Sequence, residues 1–264
     1  MTWIFTDLEF KVLCEDHGLP TVPHPFDYTS RIRLENDYLM AKAVSRGRLA
    51  HEFDADIDEF GRTLNRPDVY VVAQSWTDSD FDNPADRTKV LVLRRGTRGY
   101  MVYQQPGETR EHSAGFEVGN CYPGGLGEAA LIRMPWAESG RQQDIPVPLG
   151  APAAKREYVP GGSLVSDNDE PEDGDSYRAA AFFGTAAARS GYVRVHQGRS
   201  KFGPRGRVDM GMFWRDLPGD GRYVIPMNHP APTATGMGTE ELTAWIDEQV
   251  SLVMSRLEWN QENE

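Results

Sequence analysis

Six histidines and two cysteines are the residues of this 264-residue chain best equipped for catalysis or metal binding. His17, His24, His51, His112, His196 and His229 are scattered, and none joins a second ligand type in an HExxH-like pattern. That pattern matters because two rings one helical turn apart face the same metal. No G-x-S-x-G elbow presents a serine. Cys14 and Cys121 have neither CxxC nor Cys/His spacing, which argues against zinc and against a disulfide framework. Both read as small buried hydrophobes in a reducing compartment. Catalysis would need a site assembled from distant residues, converging for example on His196 or Cys121. No metal and no cofactor is expected.

Three stretches imitate ligand sites. Gly125-Leu126-Gly127-Glu128-Ala129-Ala130 has the G-x-G-x-x-A form of a dinucleotide loop. Such a loop also needs a parallel strand bearing a ribose-binding acid about twenty residues on. "DIPVPLGAP" occupies that region, and its prolines cannot serve a central strand. A turn and helix cap is the expectation. The stretch Gly198–Arg207 gathers Arg199, Lys201, Arg205 and Arg207 around Phe202. Phosphate binding there would need a groove or aromatic platform; a solvated hairpin loop, or a contact for an acidic partner, needs neither. The run "DNDEPEDGD" at 167–175 carries six acids, but counted from Asp169 its third position is Pro171, where a calcium loop needs an oxygen ligand. It reads as a solvated linker.

The net charge of −12 disfavours nucleic acid and anionic membranes as partners. No apolar run approaches the ~20 residues that span a bilayer, so no stable membrane insertion is expected. The start "TWIFTDLEFKVL" lacks the basic patch and long apolar run of a signal peptide. Thr6 and Glu9 form a capping-box pair ahead of a helix with Phe10, Leu13, Cys14 and His17 on one face, ended by Gly18 and Pro20. A second helix follows, with Leu34, Tyr38, Ala41 and Ser45 on one face, then a shorter one from Ala55 to Leu64 capped by Asp54. "PDVYVVAQSW" is a strand, and "TKVLVLRRGTRGYMVYQQ" a hairpin turning at Gly96–Gly99. "FEVGNC" is a short strand, and "GGLGEAALIRMP" a helix that Pro135 ends. Residues 137–175 form a Pro-, Gly- and acid-rich connection without periodicity, disordered around the acidic run.

After that connection the order repeats: helix, three strands and a long closing helix, whose stripe is Leu242, Trp245, Ile246, Gln249, Val250, Val253 and Leu257. The expectation is one α+β domain with half-repeats at 1–136 and 176–264 around an internal pseudo-twofold. Its strands carry apolar residues on both alternation classes. Met210, Met212 and Trp214 oppose Phe213; Tyr100 and Val102 oppose Met101 and Tyr103. A sheet apolar on both faces is either covered on both or binds another chain.

The start "WIFTDLEFKVL", the junction "LNRPDVYVVAQSW", the central "YPGGLGEAALIRMP" and the stretch from Ser190 to Ile225 together resemble the EspG family of type VII (ESX) secretion chaperones. In the last stretch the family's strand, basic loop, strand and Gly-Arg-Tyr pattern falls on Trp214, Asp216, Gly221, Arg222 and Tyr223, with "LPGD" a longer link than usual. The resemblance implies a central, largely antiparallel sheet flanked by two helical bundles. It implies a cytoplasmic, non-enzymatic chaperone that covers an apolar helical tip of the PPE subunit of a PE–PPE heterodimer; a homodimer stays open, as do a dispersed-site enzyme and a generic protein-interaction domain. Trp76, Phe81, Tyr100, Tyr103, Met212 and Trp214 are the expected apolar contacts, and Arg94 and Arg95 the expected partners of cargo acids.

Overall fold

The computed structural model describes residues 2–52, 55–147, 174–200, 203 and 206–262. The cap at Asp54, residues Lys201, Phe202 and Arg205 of the basic stretch, and 167–173 of the acidic run lie outside them. Within the described residues the order is β1 (Thr2–Phe5), α1 (Asp7–Asp16), α2 (Glu35–Glu52), α3 (Ala55–Asn65), β2 (Val69–Trp76), β3 (Thr88–Arg95), β4 (Arg98–Pro106), β5 (Ser113–Asn120), α4 (Leu126–Leu131) and β6 (Ile145–Pro146). Then come α5 (Gly174–Gly184), β7 (Arg189–Gln197), β8 (Asp209–Asp216), β9 (Arg222–Pro226), β10 (Thr233–Gly236) and α6 (Thr239–Glu262).

The apolar start is not a lead-in to a helix but an edge strand. Trp3 and Phe5 alternate inward with Thr2 and Ile4 outward, and β1 pairs with β5. Thr6 then reverses the chain into α1. Its Oγ1 accepts from the Glu9 N–H at 3.2 Å, and a Glu9 carboxylate oxygen accepts from the Thr6 N–H at 2.8 Å. At the other end Gly18, with φ +85°, takes the left-handed turn. There the N–H of Leu19 reaches the Cys14 carbonyl at 2.8 Å and that of Gly18 reaches Glu15 at 3.0 Å, so both orphan carbonyls are satisfied. The β3–β4 turn is tighter than expected, because Arg95 pairs with Arg98 and leaves only Gly96 and Thr97 as the loop.

All ten strands form one sheet in the order β1-β5-β4-β3-β2-β7-β8-β9-β10-β6, each pairing antiparallel. The sheet is large and antiparallel, in a mixed α and β chain, as the sequence led us to expect. On one face Val69, Val71, Val92, Val193, Val195 and Trp214 pack under α4 and α6. The expected stripe of α6 supplies that contact, with Leu242, Ile246, Val250, Val253 and Leu257 buried. Gly127 marks the α4–α6 crossing: a Cβ there would come within 2.5 Å of the Thr243 carbonyl, and its N–H donates to Asp247 at 2.7 Å. The dinucleotide-like glycines therefore serve helix packing, and α6 itself supplies the anion at the start of α4.

Among the described residues, the opposite face is covered only at its two ends. At one end α1 and α3 bury Phe10, Leu13, Phe60 and Leu64 against Leu91, Leu93, Val102 and Phe116. α2 packs on α1 through Ser45 and Leu49. Of the residues expected on its packed face, Leu34 instead lies outside at 66% exposure. At the other end α5 lays Ala179 and Phe182 over Tyr223 and Ile225.

Arg222 has no accessible surface. It forks onto both carboxylate oxygens of Asp216 at 2.7 and 3.0 Å, donates to the Pro135 carbonyl at 2.9 Å and lies 4.1 Å over the Trp214 ring. Removing one partner of such a buried pair strands the other, at a cost of about 3–5 kcal/mol. Arg222→Met should lower the unfolding free energy obtained from urea titration by that much, and Arg222→Met with Asp216→Leu should recover part of it. Equal loss in the single and double variants would contradict this account.

Candidate partner-binding trough

Between the two covered ends, no described helix overlies the second face of the middle strands β2, β7 and β8, and most of its side chains are half-buried. The register decides which residues line it. Tyr70 pairs with His196, Gln74 with Tyr192, and Tyr192 with Phe213, so these side chains and Trp76 share one face while Val71, Ala73, Val193 and Val195 take the other. From Tyr70 to Trp76 the floor runs about 20 Å at a strand's rise per residue. The loop after α1 forms one wall, and His24 crosses it to meet Tyr192, with Nε2 2.9 Å from the hydroxyl and the rings stacked. That contact divides the trough into an aromatic end and a basic end.

The aromatic end is a cleft of about 480 Å³ lined by Trp76, Phe81, Phe183 and Phe213 with Asp78 and Arg215. Trp76 meets Phe81 edge-on at 5.7 Å and Phe213 at 6.3 Å. Phe81 and Phe183 remain 46% and 40% exposed. Guanidinium groups back the rings: Arg87 lies 4.2 Å over Phe81, and Arg215 5.6 Å over Phe183.

The basic end is a cleft of about 790 Å³ whose lining includes Tyr70, His196, Arg66, Arg95, Arg194 and Arg207. Arg199 also lines it and pairs with Asp68 at 2.7 Å. Arg194 pairs with Asp209, and His196 Nδ1 lies 3.3 Å from the same carboxylate. Tyr70 stacks on His196 at 4.7 Å. Burial holds His196 below its usual range against the pull of Asp209, and Arg194 adds to the lowering. Burial likewise lowers His24 and pushes the Tyr192 hydroxyl up to about 12.

These positions sort the residues expected from sequence. Trp76, Phe81 and Arg95 lie in the trough. Arg94 does not, because neighbours on a strand point to opposite faces; it donates to the Pro123 carbonyl at 3.0 Å on the far side. Tyr103 and Met212 also belong to the far face, half-buried against the α4–α6 core. Tyr100, 2% exposed, is packed beneath Trp3 and Phe60, and Trp214, 1% exposed, beneath Arg222. Both are core residues in this structure. The trough instead adds Tyr70, Tyr192, Phe183, Phe213, Arg194, Arg199 and Arg207. The alternation of Tyr192, Arg194 and His196 against Val193 and Val195 was the available signal for part of this set.

His196 and Cys121, alternative foci of a dispersed catalytic site, lie on opposite faces of the sheet. Cys121 packs against the α4–α6 core, and burial pushes its thiol up to about 12, far from the thiolate a nucleophile needs. Among the described residues no group of three or more His, Cys, Asp and Glu is placed to hold a metal ion.

The fold is thus a ten-stranded antiparallel α+β sheet with one open, aromatic and basic face. The EspG family model matches residues 6–248, and the chain belongs to that family. Its fold is similar to that of the type VII secretion system chaperone EspG5 of Mycobacterium tuberculosis, solved in complex with a PE25–PPE41 dimer. The TM-score is 0.55 at 14% identity, over 93% of this chain and 94% of that one. No curated protein sequence matches the chain.

A lowered histidine pKa means the unfolded chain binds protons that the folded chain does not. Stability should therefore be complete above the ordinary histidine value of 6.5 and fall as pH drops from there through the folded values of His24 and His196. Scanning calorimetry from about pH 7.5 to about pH 5 should show that decline, and a His24→Gln, His196→Gln double variant should flatten it. An unchanged slope would mean that neither ring is buried neutral.

Proposed function

We propose that this chain is a cytosolic chaperone of a type VII secretion system, and that its trough binds a PE–PPE heterodimer by covering an apolar helical tip of the PPE subunit. Membership of the EspG family and the likeness to EspG5 support the class of partner. The observation that carries the site is the ring cluster of half-buried Trp76 and Phe213 with exposed Phe81 and Phe183, on a sheet face that no described helix covers. Aromatic groups in a concave, partly desolvated setting are the usual anchors of a protein interface. An exposed apolar helix tip is an aggregation hazard, and seating it among these rings removes both apolar surfaces from water.

The proposed role needs no chemistry from the chaperone, in keeping with the raised thiol of Cys121. A cytosolic location agrees with a chain in which no described helix is long and apolar enough to cross a membrane.

Co-expression with a PE–PPE pair from the same genome, followed by size-exclusion chromatography, should yield a stable complex containing one copy of each chain. Phe81→Asp with Phe183→Asp should weaken that complex at least about tenfold, or about 1.4 kcal/mol, with the melting temperature little changed. Tyr103→Asp, on the far face, should leave affinity near native. A folded chaperone that captures no such pair would refute the reading; equal losses in both variants would move the site off the trough.

A further inference from the structure

Five arginines, Arg66, Arg95, Arg194, Arg199 and Arg207, line one cleft of a protein whose net charge is −12. Two of them are already balanced, Arg199 by Asp68 and Arg194 by Asp209. Arg66, Arg95 and Arg207 pair with no carboxylate among the described residues, although acids outnumber bases across the chain by 40 to 28. Cations concentrated against the general trend, on a half-enclosed floor of Tyr70 and His196, create a local positive field.

We infer that this cleft recognises acidic side chains on the docked protein, next to the apolar segment that the aromatic end holds. The inference rests on the proposed function and assigns the partner's charge and the residues that read it. Its role is selection and speed. Complementary charge at an interface raises the association rate and rejects wrong partners more than it deepens affinity. The overall negative charge does not cancel this attraction, because at about 0.15 M salt it is screened beyond about 8 Å. A carboxylate entering the cleft lies within that distance of several guanidinium groups. Arg66 and Arg207 are exposed, so they can meet it without reorganising the core.

The test is the association rate of the purified chaperone with a PE–PPE heterodimer, measured by stopped flow from about 0.1 M to about 1 M salt, where the Debye length shrinks from about 10 to about 3 Å. For the native chain the rate should fall as salt rises. Arg66→Glu with Arg207→Glu should slow association at least about tenfold at the lower salt and flatten or invert the salt slope, while the dissociation rate changes little. Arg66→Lys with Arg207→Lys keeps the charge and should restore the native slope, which a merely structural role would not do. A native rate and slope in the Glu variant would overturn the inference while leaving the chaperone reading intact. Absence of any complex with the native chain would overturn both.

Discussion

Among the described residues, the ten-stranded sheet presents more surface than the six helices cover, and the way that shortfall is distributed decides what the described surface can do. α4 and α6 sit over the centre of one face, so β2 and β7 must place small apolar residues there, and they do with Val69, Val71, Ala73, Val193 and Val195. The other face receives its helices only at the ends. Its central positions carry Tyr70, Gln74, Trp76, Tyr192, Arg194 and His196, residue types with an apolar body and a polar tip. Such side chains tolerate half-exposure at modest cost. The half-buried face is therefore written into the alternation of two strands.

A second constraint holds the far half in place. The sulfur-free knot of Trp214, Asp216, Gly221, Arg222 and Tyr223 ties the segment after α4 to the β8–β9 hairpin. Arg222 grips the Pro135 carbonyl and Asp216. A Cβ at Gly221 would lie within 2.6 Å of the Ser139 carbonyl. The Tyr223 hydroxyl donates to Asp220 at 2.6 Å and accepts from the Gln142 N–H at 2.8 Å. These are the residues through which the sequence resembles its family, and they serve architecture. A family signature can thus identify a fold without touching the site that the fold exposes.

Local signals were legible and non-local ones were not. The capping box at Thr6, the stop at Gly18, the β3–β4 hairpin and the stripe of α6 all follow from residues within one element. β1 was missed because four residues beside a helix gain strand identity only from their partner β5. Arg94 and Arg95 looked like a pair because adjacency in sequence was read as adjacency in space; the pleat separates them. The burial of Tyr100 and Trp214 was not legible, since it depends on packing by Trp3 and Phe60, from other elements, and by Arg222 across the β8–β9 hairpin. The arginines of the basic cleft come from the ends of α3 and β3, from β7 and from the loop after it, and only the β2–β7 register brings them together.

An uncovered aromatic cluster is itself a hazard, and its surroundings show how the free protein manages it. Arg87 and Arg110 lie 4.2 and 5.3 Å over Phe81, and Arg215 lies over Phe182 and Phe183. A guanidinium on a ring face covers apolar surface while keeping its charge partly hydrated. Burial lowers the pKa of Arg87 and Arg215, the direction that partial loss of hydration gives. A second copy approaching these rings would meet cations at the cleft and, around it, the field of a strongly acidic chain like itself. Net charge of one sign keeps copies apart, whereas a partner bringing both an apolar tip and carboxylates satisfies the rings and the arginines together.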